Sequence, residues 1–164
     1  MKICIIYYSR TGNTRNAAKL LEGKLKEQKA DVELIEIEAV KKPGFLKAGI
    51  AAMTQKELPI TNTDVDLKKY DKILVGSPTW AGRPTPHIRS FFNIADNYNG
   101  KEAGVFFTCS GSIEKSQTGK DIKNYLGEIG LNVIDEILSL QMKKEEIKDG
   151  EQNIDVFIKT IMSK

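Results

Sequence analysis

The chain has 164 residues, enough for one domain spanning 1–164 with a sizeable core and too few for two comfortable ones. Its 25 lysines and arginines stand against 22 acidic residues, and a formal charge of +3 with no basic run or aromatic-interleaved basic patch excludes a nucleic-acid binder. No stretch reaches the apolar length of a membrane span, no leader pattern opens the chain, and the two cysteines form no CxxC or Cys/His cluster. A cytoplasmic protein without a membrane partner, a disulfide or a bound metal is expected.

Ile3-Cys4-Ile5-Ile6-Tyr7-Tyr8 is β-branched and nearly continuous in apolar character, the pattern of a parallel strand buried on both faces. After residues 9–14 a helix begins, in which Ala17, Ala18, Leu21 and Leu25 recur at helical spacing. Residues 32–37 alternate as a partly exposed edge strand. The connection 39–69 holds Phe45, Leu46, Gly49, Ile50 and Met53, enough for a short amphipathic helix that either packs on the sheet or forms a lid. Residues 70–76 and 103–109 are further apolar strands ending in small residues, with helices expected over 86–94 and 114–128. Val133, Ile134, Ile137 and Leu138 mark a last strand at the other edge. Ile154, Phe157, Ile158 and Ile161, at i, i+3, i+4 and i+7, mark a closing helix packed on the core.

Strands alternating with helices imply right-handed crossovers and an α/β fold, a doubly wound parallel sheet of five strands with helices on both faces. In such folds a ligand binds beyond the carboxyl ends of the strands. Three loops leave those ends, over residues 9–14, 77–83 and 108–117.

The first loop, Ser9-Arg10-Thr11-Gly12-Asn13-Thr14, joins a strand's carboxyl end to a helix's amino end, where unpaired N–H groups and the helix dipole favour an anion. Ser9, Thr11 and Thr14 add hydroxyls and Gly12 allows a tight backbone path, although the same residue types also cap helices. The second loop carries the chain's only tryptophan, Trp80, placed to stack on a planar ligand or to fold back as an apolar plug. The third, Thr108-Cys109-Ser110-Gly111, is small and polar, suited to offering backbone N–H groups. His87 stands alone and fits a polar residue near a helix start.

Other phosphate folds are excluded by their own requirements. Gly119-Lys120 is followed by Asp121 and has no Walker-type glycine before it; no arginine closes an anion loop after Cys109; and no G-x-G-x-x-G occurs. Tyr7-Tyr8-Ser9 stands where a phosphoacceptor receiver domain has acidic residues.

Ser9 to Thr14 resembles the phosphate loop of flavodoxins, and Gly76-Ser77-Pro78-Thr79-Trp80-Ala81-Gly82 resembles their second flavin loop. The resemblance covers essentially the whole chain and implies strand order 2-1-3-4-5 with FMN as cofactor. It places the phosphate on Ser9, Arg10, Thr11, Gly12, Asn13 and Thr14. Trp80 is implied to flank the isoalloxazine, with Pro78, Thr79, Ala81 and Gly82 near its edge and Thr108, Cys109, Ser110 and Gly111 at the pyrimidine end. It implies no catalytic acid or base, and a backbone carbonyl near Ala81 or Gly82 as an acceptor for the reduced flavin. This chain differs in carrying Arg83, Lys115 and Lys120 in or after the loops and no aromatic over 110–117, so the second flavin face is unassigned. The function implied first is an electron carrier between a reductase and an acceptor protein. The alternative is an FMN-dependent oxidoreductase passing electrons from NAD(P)H to a quinone.

Overall fold

The computed structural model describes residues 1–63 and 65–163. In chain order the elements are β1 (Lys2–Tyr7), α1 (Asn13–Glu27), β2 (Asp31–Glu36), α2 (Phe45–Thr54), β3 (Lys72–Trp80), α3 (His87–Phe92), β4 (Glu102–Cys109), α4 (Thr118–Glu128), β5 (Asn132–Lys143), β6 (Glu146–Asp149) and α5 (Ile154–Met162). β1, β2, β3, β4 and β5 form a parallel sheet in the order β2-β1-β3-β4-β5, with β6 added antiparallel beyond β5.

The period-two geometry of the central strands divides the apolar side chains between two layers. Cys4, Ile6 and Tyr8 join Ile73, Val75 and Val105 under α2, α3 and α4, while Ile3, Ile5 and Tyr7 join Leu74 and Phe106 under α1 and α5. With both faces covered, the doubly wound architecture stands as expected. On the second face, the stripe Ile154, Phe157, Ile158 and Ile161 is buried against the sheet.

Three boundaries differ from the sequence expectation. β3 runs on through Ser77, Pro78 and Thr79 to Trp80, where a loop was expected. Its pairing with β1 stops at Tyr7↔Gly76 while pairing with β4 continues to Pro78↔Thr108, so the strand's last residues form a local edge, where proline is tolerated. β5 extends to Lys143 and turns through Lys144 and Glu145, at φ 51° and 68°, into β6, which displaces β5 from the sheet edge. α4 begins at Thr118, and residues 114–117 lie in the loop before it.

Candidate FMN site

The three expected loops do converge at the carboxyl ends of β1, β3 and β4. They wall a cavity of about 530 Å³, within the range of small-ligand sites. Arg10, Thr11 and Asn13 of the first loop line it, with Pro78, Thr79, Trp80 and Ala81 of the second and Thr108, Cys109 and Ser110 of the third. Gly82 and Gly111 lie outside that cavity, on an adjoining cleft of about 260 Å³.

Ser9, Gly12 and Thr14 build the first loop from behind. Ser9 Oγ is buried and accepts hydrogen bonds from the N–H groups of Gly12 and Arg15, each at 3.2 Å, so it serves as the cap that its residue type also suggested. Gly12 takes φ 95°, a left-handed conformation open to glycine at little cost. The N–H groups of Asn13 and Thr14 have no protein acceptor among the described residues, and the first turn of α1 carries no acidic side chain. An anion there satisfies both the orphan donors and the dipole. The Thr14 hydroxyl shares a 2.8 Å hydrogen bond with that of Thr108, both buried, and so ties the first loop to the third.

The second loop is a two-residue hairpin. Thr79 pairs with Pro84 and Trp80 with Arg83, and Ala81 and Gly82 turn the chain at φ 48° and 79°, as a type I′ turn requires. The Gly82 carbonyl is engaged within the protein, accepting from the N–H of Gln117 at 2.9 Å. Thr79 Oγ1 is joined to the hydroxyls of Ser116 and Thr118 at 3.2 and 2.9 Å, which fixes the third loop against the second.

Trp80 folds back as an apolar plug and also lines the cavity. Only 9% exposed, it stands edge-on to Tyr8 and to His87 while still forming cavity wall. His87, the first residue of α3, shares a 2.6 Å hydrogen bond between Nδ1 and the Thr85 hydroxyl, and burial depresses its pKa to about 4. Burial likewise pushes the Tyr8 phenol and the Cys109 thiol up, so neither is ionised at neutral pH.

Two parts of the cavity wall lie outside the three loops: α2, for which the sequence left packing on the sheet and a lid both open, and the β5–β6 hairpin, for which it gave no signal. α2 closes one side with Phe45, Ala48 and Gly49, and the Arg10 guanidinium lies 4.1 Å from the centre of the Phe45 ring. The β5–β6 turn closes another with Met142, Lys143 and Lys144. Its tip rests on the first loop: the Glu145 N–H donates to Asn13 Oδ1 at 2.9 Å, and Asn16 Nδ2 donates to Glu145 Oε2 at 3.0 Å. A Cβ on Gly12 would lie 2.6 Å from Glu145 Oε1.

This geometry coincides with a family match. The model of the NADPH-dependent FMN reductases fits residues 1–145. The chain belongs to that family. FMN is accordingly its cofactor, and the left-handed glycine, the acceptor-free N–H groups of Asn13 and Thr14 and the aromatic wall fit it. A quinone-type NAD(P)H dehydrogenase of Caulobacter vibrioides is 30% identical over 112 residues, 64% of this chain and 55% of that protein. This chain thus spans little more than half the length of the first relatives it matches. A second such enzyme, from Rhizobium meliloti, is 27% identical over 91% of this chain and 74% of its own. Among solved structures, a flavoprotein of Lactobacillus acidophilus in complex with FMN shares the fold, with TM-score 0.66, 24% identity and coverage of 95% and 97% of the two chains. Oxidised flavodoxin 1 of Bacillus cereus does so with TM-score 0.62, 21% identity and coverage of 98% and 94%.

Proposed function

We propose that this chain is an FMN-dependent oxidoreductase that takes electrons from NAD(P)H and passes them to a quinone-class acceptor. The family match and the quinone-type relatives support this alternative over the carrier function that the flavodoxin resemblance implied first. The observation that carries it is the charge of the cavity wall. Arg10, Lys143 and Lys144 line it beside a loop already equipped for one phosphate, and none of the three makes an ion pair among the described residues. That surplus of cations suits a second polyanionic ligand such as a nicotinamide dinucleotide.

FMN, when bound, supplies the reversible electron chemistry. The chain's residues bind and orient. Thr11 and the N–H groups of Asn13 and Thr14 hold the phosphate, Trp80 supports one face of the ring system, and Thr108, Cys109 and Ser110 meet its polar edge. Phe45 and Gly49 of α2 shape the side from which a second ligand enters.

The test is steady-state turnover of the FMN-loaded protein with NADPH or NADH and a water-soluble quinone, in the absence of any other reductase. Sustained turnover is expected. Turnover that needs a separate reductase protein returns the chain to the carrier class.

A further inference from the structure

We propose that α2 is a docking surface for an anionic lipid bilayer, which brings the mouth of the FMN cavity to the membrane plane. Helix α2 is apolar on two opposite sides. Ala48, Ala51 and Ala52 are buried on the sheet, whereas Phe45, Leu46, Ile50 and Met53 face outward at 84%, 79%, 55% and 73% exposure. An all-round apolar helix belongs in an interior, and a cluster of large exposed apolar side chains marks an interaction site.

The charges around this face select the partner. Lys41 and Lys42 precede the helix, Lys47 lies in it and Lys56 follows it, all exposed and none in an ion pair among the described residues. Seven lysines elsewhere do pair. A second copy seated on the face by two-fold symmetry would bring two sets of these lysines into one interface, a like-charge arrangement. An anionic bilayer satisfies both features at once, taking Leu46, Ile50 and Met53 at the acyl boundary and the lysines among the headgroups. With 10 residues the helix lies on a membrane and does not cross it.

Resting on the proposed quinone chemistry, the arrangement has a substrate logic. Phe45, Ala48 and Gly49 belong to both the helix and the cavity wall, so a lipid-soluble quinone leaving the bilayer along α2 meets the cavity directly.

The experiment is flotation of the FMN-loaded protein with vesicles of phosphatidylglycerol and phosphatidylcholine, compared with phosphatidylcholine alone. Binding to the anionic vesicles only, weakened by salt, is expected. A Lys41→Gln/Lys42→Gln/Lys47→Gln variant should lose about a hundredfold in partitioning, and Leu46→Gln/Met53→Gln about tenfold. Both variants should keep FMN binding and turnover of a water-soluble quinone. Absence of binding to anionic vesicles, or binding indifferent to both variants, overturns the proposal. So does sedimentation showing a dimer that Leu46→Gln/Met53→Gln dissolves. Vesicle binding without quinone turnover upholds the surface while removing the quinone reading.

Discussion

The imidazole of His87 lies flat on the phenol ring of Tyr8, with ring centres 4.1 Å apart and planes 7° from parallel, and Trp80 stands edge-on to both. Neither Tyr8 Oη nor His87 Nε2 has a protein partner among the described residues, and both are buried. The aromatic wall of the cavity is therefore backed by a neutral histidine whose protonated form has no counter-ion in the stack.

That sets a pH dependence of stability. The folded-state pKa of about 4 lies below the ordinary value of 6.5, so between those values the unfolded chain binds the additional proton. Stability is complete above pH 6.5 and falls as the pH drops towards about 4, where the loss levels off. At about 1.4 kcal/mol per pH unit the loss is about 3 kcal/mol. Urea unfolding across this range should show it, and His87→Phe should flatten the slope; an unchanged slope in the variant would assign the acid sensitivity to other groups.

The hydroxyl pair of Thr14 and Thr108 joins two loops across 94 residues of sequence. Thr14→Val strands the Thr108 hydroxyl in the interior and should cost about 1–3 kcal/mol. Thr14→Val/Thr108→Val should recover much of that loss, giving a favourable coupling in a double-mutant cycle followed by chemical denaturation. Additive losses would show that the two hydroxyls act independently.

The carboxylate of Glu145 sits beside Gly12, on the loop assigned to phosphate. Glu145→Gln keeps an acceptor for Asn16 and removes a negative charge, so FMN affinity should rise about threefold to tenfold at low salt, from roughly 1 kcal/mol of relieved repulsion. Fluorescence titration of the apoprotein at two ionic strengths measures it. A salt-independent affinity, equal to that of the natural chain, would place Glu145 away from the phosphate in the loaded protein.

Gly76 packs directly beneath the Phe106 ring at the centre of the sheet. A methyl group there meets the ring, and Gly76→Ala should destabilise the fold by about 1–3 kcal/mol through overpacking. Thermal unfolding checks this, and Gly76→Ala/Phe106→Leu should regain part of the loss.

The sheet was legible because its strands are long apolar runs separated by helical periodicity, from Ile3 to Leu138. The three loops were legible because each combines small residues with hydroxyls at a strand's end. The hairpin beyond β5 was hidden because its turn uses Lys144-Glu145, two residues that adopt left-handed φ only at a cost and lack the usual Asn-Gly signal. The run of β3 to Trp80 was hidden by Pro78, which reads as a breaker unless it is known that β1 pairing has already ended. The tether between the Thr14 and Thr108 hydroxyls joins residues 94 apart, beyond the reach of any local pattern.

The Glu145 contact with Asn13 spans 132 residues, so the loop proposed to hold phosphate takes one of its walls from a hairpin remote in sequence. Local opening of that hairpin therefore strips the loop of a wall while β1 and α1 stay folded.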